Sequence, residues 1–231
     1  MTEALAPAPQ PTFRLIPSRF PPIGLFDSVA TAADLAAVME LVGWTNDRLV
    51  KERIDRLPQA EWVYGRPNAS VVMAAFLHVA PTGMRFNGAE LGAWYAAADL
   101  TTAAAEVGHH LRRETFARQL PEIRRIYRTY VARIDGDYVD LRGERTARPE
   151  LYDPGSYAAS QAFGEKVRAS GSDGILYESV RLRTGTNVAA YRPTKIQDIL
   201  QTDHFEISVY PDRRRIEVRR LAANRDAATQ G

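Results

Sequence analysis

The chain has 231 residues, 45% of them apolar and 25% charged, a net charge of +2 and no cysteine. One large domain of ordinary globular composition fits these numbers, and so small a net charge gives no argument for a nucleic-acid partner. Disulfides, thiolate metal sites and cysteine nucleophiles are excluded. No run reaches the ~18 apolar residues of a membrane span, and MTEALAPAPQPT is no signal peptide, so a cytoplasmic protein is expected.

Residues 1–12 read as a disordered lead-in, residues 13–220 as one domain and residues 221–231 as a polar tail. Phe13-Arg14-Leu15-Ile16 is a short apolar strand around one arginine, ended by Pro17. Arg19-Phe20-Pro21-Pro22-Ile23 is a stiff extended connection, because proline fixes φ and restricts its predecessor. Thr31 or Asp34 caps a helix through Leu41, and residues 45–56, with alternating charges, form a solvated, partly helical stretch. The run VVMAAFLHV at 71–79 fits a buried strand and the core-facing part of a helix equally, since periodicity does not separate the two. His78 within it reads as a core histidine bonded to backbone.

Residues 83–110 hold three polar side chains that packing alone does not ask for. Gly83 and Gly88 frame Arg85-Phe86-Asn87, so the backbone there turns tightly or approaches a ligand. The planar fork of Arg85 suits phosphate oxygens; on the sequence alone, an ion pair with a nearby acid is the favoured reading. Trp94 and Tyr95 point to opposite faces of a strand, so only one of them lines a cleft. Asp99 is a good N-cap for a helix reaching Arg118, with an apolar stripe of Leu100, Ala103, Ala104, Val107 and Leu111. Glu106 lies about 100° from the middle of that stripe, with His110 one turn further along the same edge. A carboxylate at such a border faces a cleft while its helix packs, or pairs with His110 on the surface.

Residues 122–133 alternate arginines with Ile123, Ile126, Tyr127 and Val131, a pattern of an edge strand or an exposed helix face. A strand over 139–142, a turn at Pro154-Gly155 and a helix from Tyr157 follow. After a turn at 171–174 comes the strand Ile175-Leu176-Tyr177, with Ser179 and Arg181 on one face if it continues. A strand over 188–193 and a hairpin of 205–210 with 216–218 close the domain. G-x-S-x-G, G-x-x-x-x-G-K-[ST] and H-E-x-x-H are all absent, so a hydrolase serine, a phosphate loop of that type and a metal site lack support.

The order of R-F-N at 85–87, W-Y-A at 94–96, T-A-A-A-E at 102–106 and D-G-I-L-Y-E-S-V-R at 173–181 is similar to the RES-domain family, named for its arginine, glutamate and serine. RFPPIGLFD at 19–27, TNDRL at 45–49, VMAAFLH at 72–78 and YDPGSYAASQAFG at 152–164 extend the similarity over nearly the whole chain. The resemblance implies an α+β fold resembling ADP-ribosyltransferases, with a mixed β-sheet core flanked by helices in a single catalytic domain, 13–220. It further implies a toxin-type enzyme that consumes NAD as substrate, uses no metal, and is held by a helix-turn-helix antitoxin.

On that resemblance Arg85, Glu106 and Ser179 are the catalytic residues, and Arg14, Arg85, Asn87 and Tyr95 bind NAD. Arg85 and Arg14 would hold phosphates, Asn87 would support Arg85, and Tyr95 would stack on nicotinamide. Glu106 would stabilise a cationic ribose, and Ser179 would fix the ring's amide or the ribose. The acceptor stays open among inorganic phosphate, water and a protein side chain, giving an NAD phosphorylase, a glycohydrolase or an ADP-ribosyltransferase; the arginines favour phosphate. Assembly stays open too, as a homo-oligomer or a complex with the antitoxin. Met84 stands where serine is expected, and Arg183-Thr184-Gly185-Thr186 where a glycine pair is. A different class is a non-catalytic interaction module, or a basic protein gripping nucleic acid through Arg124-Arg125-Arg128 and Arg213-Arg214-Arg215.

Overall fold

The structure is a computed structural model and describes residues 3–20, 24, 26–31, 33–34 and 52–222. The expected helix to Leu41, TNDRL, part of RFPPIGLFD and the tail beyond 222 lie outside the described residues. At the start of that helix Asp34 N donates to Thr31 Oγ1 (3.1 Å), the capping geometry expected there.

The described strands are β1 (Leu5–Pro7), β2 (Thr12–Pro17), β3 (Trp94–Ala97), β4 (Ile123–Ile134), β5 (Asp137–Asp140), β6 (Gly174–Glu178), β7 (Thr186–Ala190), β8 (Ile196–Val209) and β9 (Ile216–Leu221). They form one sheet in the order β1-β5-β6-β7-β3-β2-β4-β8-β9. Only β5 and β6 run parallel, so the sheet is mixed. Among the described residues, three helices with both ends described flank it: α1 (Ala69–Leu77), α2 (Leu100–Arg118) and α3 (Ala158–Ala169). Among the described residues no helix is long and apolar enough to cross a membrane.

The two faces of the sheet are built differently. One face carries a continuous core in which α1 packs against Trp94, Tyr130, Ile134, Leu176 and Val188. The opposite face is split. Ile175, Tyr177, Val139 and Ala189 form one cluster with Val167 of α3, while Ile123, Tyr127, Ile207 and Val209 form another with Ala104 and Leu111 of α2. The period of two along each strand separates the faces: Trp94 belongs to the continuous core and Tyr95 to the split side.

Several expectations are corrected. Residues 3–12 are no disordered lead-in, because β1 pairs with β5, and Gln10 Nε2 donates to Ile134 O. The run at 71–79 resolves as α1, whose residues are buried nearly all round; its C-cap His78 is exposed and is no core histidine. The arginine-rich stretch 122–133 is the interior strand β4, between β2 and β8. Its arginines are accommodated because Arg125 forks onto Glu114 of α2 (3.0 Å for both bonds) and Arg124 pairs with Glu122. Arg128 is buried and donates to Phe20 O. β6 ends at Glu178, so Ser179 and Arg181 do not share a strand face.

The α2 boundaries match the sequence expectation. Asp99 Oδ1 accepts from Thr102 N (2.8 Å) and Oδ2 from Thr102 Oγ1 (2.7 Å), satisfying a donor that the first helical turn leaves unpaired. Asp99→Ala is expected to lower stability by about 1 kcal/mol in urea unfolding; an unchanged midpoint would show that tertiary packing alone sets this helix start.

Candidate active site

A cleft opens where β2 and β3 separate. β2 is paired with β4 from Thr12 to Pro17, and β3 with β7 from Trp94 to Ala97. Between β2 and β3 the ladder consists of one pair, Phe13 opposite Ala97. The cleft is lined by Phe13, Arg14 and Leu15 from β2, by Tyr95, Ala96 and Ala97 from β3, and by Ala103, Glu106, Val107 and His110 from α2. Met84, Arg85, Tyr157, Tyr177 and Asn187 complete it. Glu106 and His110 therefore both face the cleft, as their place on the helical wheel predicts.

Arg14 fills the gap in the sheet. Its Nη1 donates to Tyr95 O (2.8 Å), and its guanidinium lies 4.8 Å from the centroid of Trp94. Burial pushes its pKa down to about 10, with nearby Tyr95 acting in the opposite direction, so it stays charged at neutral pH.

Arg85 sits in a tight turn. Met84 N donates to Asn87 O (2.9 Å), leaving Arg85 and Phe86 as the two central residues. Gly83 permits the turn: its φ is +70°, and a Cβ there would lie 2.3 Å from Asn87 O. Phe86 anchors it. Phe86 N donates to Tyr95 Oη (2.9 Å), Tyr191 Oη donates to Phe86 O (2.7 Å), and its ring meets Tyr177 edge-on. Tyr95 Oη in turn donates to Asn87 Oδ1 (2.8 Å), so Asn87 supports the turn that presents Arg85. From α3, Gln161 Nε2 donates to Met84 O and Glu165 Oε1 accepts from Gly88 N.

The Arg85 side chain is 7% exposed. Its Nη1 donates to Leu151 O (3.1 Å) and Asp153 O (3.0 Å), and its guanidinium lies 4.7 Å from the centroid of Tyr157. No ion pair to a carboxylate of a described residue neutralises it, which removes the ion-pair reading of Arg85.

Glu106 is oriented by two neutral donors. Ser179 Oγ (2.7 Å) and Asn187 Nδ2 (2.8 Å) both donate to Oε1, and no described residue bonds to Oε2. Ser179 is fully buried, and its Oγ also accepts from Arg181 N and Leu182 N (3.0 Å each). Its hydroxyl is thereby committed to the 179–185 loop and to Glu106, a different task from touching a ligand. Close approach of that loop to α2 requires Gly185, whose Cβ would lie 2.6 Å from the Thr102 side chain and 3.1 Å from Ser179 Cβ.

Sequence reasoning missed Asn187, because the strand expected at 188–193 begins one residue after it; β7 starts at Thr186. The usable signal was a lone amide in a small, apolar strand next to Gly185. Tyr157 and Tyr177 were read only as the start of a helix and part of a strand. No cluster of described residues could hold a metal ion.

A family model described as RES domain matches residues 53–209. The chain belongs to the RES domain family. It is 27% identical over 201 residues to the uncharacterized protein y4oC of Sinorhizobium fredii (strain NBRC 101917 / NGR234), covering 84% of this chain and 80% of that protein. It is also similar to a chain in the crystal structure of the M. tuberculosis MbcT–MbcA toxin–antitoxin complex, with 20% identity and a TM-score of 0.41 over 53% of this chain and 73% of that one.

The Tyr95 hydroxyl gives a direct test of how the arginine of this RES domain is presented. Tyr95→Phe leaves the buried Phe86 N without its acceptor, at an expected cost of about 1–3 kcal/mol. Urea unfolding reads this; stability equal to wild type would mean that the turn is held without it.

Proposed function

We propose that this chain consumes NAD by breaking the bond between nicotinamide and ribose, with inorganic phosphate as the acceptor. The carrying observation is a carboxylate fixed through one oxygen, Glu106 Oε1, in a cleft that also holds the un-neutralised Arg85. Electrons of the C–N bond pass to the pyridinium nitrogen, releasing neutral nicotinamide and leaving a cationic ribose carbon. The Glu106 carboxylate stabilises that charge as it develops, and its two donors remove the need to reorient during reaction. Arg85 holds phosphate oxygens, with Arg14 adding positive charge at the floor of the cleft. A phosphate oxygen then bonds to the ribose carbon, giving ADP-ribose 1-phosphate. Tyr95 offers a ring face to nicotinamide while its hydroxyl holds the Arg85 turn. Ser179 and Asn187 act through Glu106 as positioning residues.

The nucleic-acid reading loses one of its two arginine groups, since Arg124 and Arg125 pair with glutamates and Arg128 is buried. An enzyme that drains a shared cofactor must be restrained in its own cell, so the proposal includes an antitoxin. A negatively charged segment that meets Arg85 and excludes NAD would supply the restraint, and a helix-turn-helix protein is the form the resemblance implies.

Glu106→Gln keeps the shape and loses the charge. Nicotinamide release is expected to fall by roughly two to three powers of ten while calorimetry shows NAD still bound; undiminished release would remove Glu106 from the mechanism. Arg85→Lys keeps the charge but not the fork, and NAD affinity is expected to fall about tenfold. Wild-type affinity in the lysine variant would reduce Arg85 to a general positive charge.

A further inference from the structure

Three tyrosines line the cleft beside Arg85 and Glu106. Two are committed within the protein: the Tyr95 hydroxyl serves Phe86 N and Asn87 Oδ1, and the Tyr157 ring lies against the Arg85 guanidinium. Tyr177 differs. Its side chain is 6% exposed, and its ring is held edge-on against Phe86 at 4.8 Å between centroids. In the sheet it pairs with Asn187, one of the two residues that hold Glu106. Yet its hydroxyl bonds to no described residue. The oxygen is not among the enclosed polar atoms that lack a partner, so on this rigid ring it opens onto the cleft, where a ligand can supply its acceptor. Burial, with Glu106 and Tyr95 nearby, holds this phenol well above its ordinary pKa. It is therefore a neutral O–H, which an anionic oxygen satisfies best.

We propose that Tyr177 is a ligand-binding residue whose hydroxyl donates a hydrogen bond to a phosphate oxygen of the anion held by Arg85. This rests on the reading of the cleft as a site for a phosphorylated nucleotide. The oxygen belongs either to the dinucleotide's diphosphate or to the incoming free phosphate, and the two are separable by experiment.

Tyr177→Phe removes one oxygen and keeps the ring on Phe86, so the fold is preserved; an unchanged melting temperature and circular dichroism spectrum check this. Calorimetry with inorganic pyrophosphate and inorganic phosphate compares Tyr177→Phe with wild type. NAD is compared between Glu106→Gln and the double variant, where turnover is suppressed. Pyrophosphate affinity is expected to fall about tenfold, the loss of one hydrogen bond to a charged group. Alongside the pyrophosphate loss, a matching loss for NAD but not for phosphate assigns the hydroxyl to the diphosphate, and one for phosphate but not for NAD assigns it to the acceptor. Unchanged affinity for all three probes overturns the proposal. Should pyrophosphate depend on Tyr177 while NAD is neither bound nor consumed, this inference stands and the NAD reading falls; no binding of any probe sinks both.

Discussion

The single ladder pair between β2 and β3, Phe13 opposite Ala97, is the constraint on which the rest of the structure depends. A sheet interrupted at its middle leaves backbone polar groups that must find other partners. Arg14 supplies one, donating to Tyr95 O across the gap, and in doing so places a guanidinium at the floor of the opening. The same interruption divides one face of the sheet into two apolar clusters. α2 packs on one of them and turns the border of its apolar stripe toward the gap, bringing Glu106 to the cleft. Site and fold thus share one cause.

Within the cleft, opposite charges are held apart rather than paired. Arg85 is fixed by two backbone carbonyls and the Tyr157 ring; Glu106 is fixed by a hydroxyl and an amide. Had the two met, each would have cancelled the other's field in surroundings where charge is poorly screened. Anchoring both through neutral groups keeps a positive and a negative pole available to a ligand. A molecule with anionic phosphates at one end and a developing cation at the other matches that polarity. The anchoring is rigid on both sides: Phe86 is held through its amide, its carbonyl and its ring, and Ser179 Oγ uses both its acceptor capacity and its proton.

Local rules made the α2 helix legible, since Asp99 caps it and the 3.6-residue period places Glu106 and His110 on one edge. The Gly83 turn that presents Arg85 was legible for the same reason, because glycine alone tolerates its backbone geometry. What long-range contacts decide was not. Uniform hydrophobicity left residues 71–79 open between strand and helix, and burial nearly all round in α1 shows why no periodicity marks them. The arginines of β4 suggested an edge or surface element because their partners, Glu114 and Phe20, are remote or stand on another element. Ser179 was visible as a polar residue near a strand end. Its task of steering Glu106, shared with Asn187, depends on a loop closing over Gly185, which spacing alone does not reveal.

The central claim is that this cleft splits NAD and hands the ribose to phosphate. Proton and phosphorus NMR of NAD incubated with the purified wild-type chain, with and without inorganic phosphate, tests it most directly. The account predicts free nicotinamide accompanied by a new sugar-phosphate resonance, both dependent on added phosphate. Intact NAD in both samples, from protein shown to be folded, would contradict it.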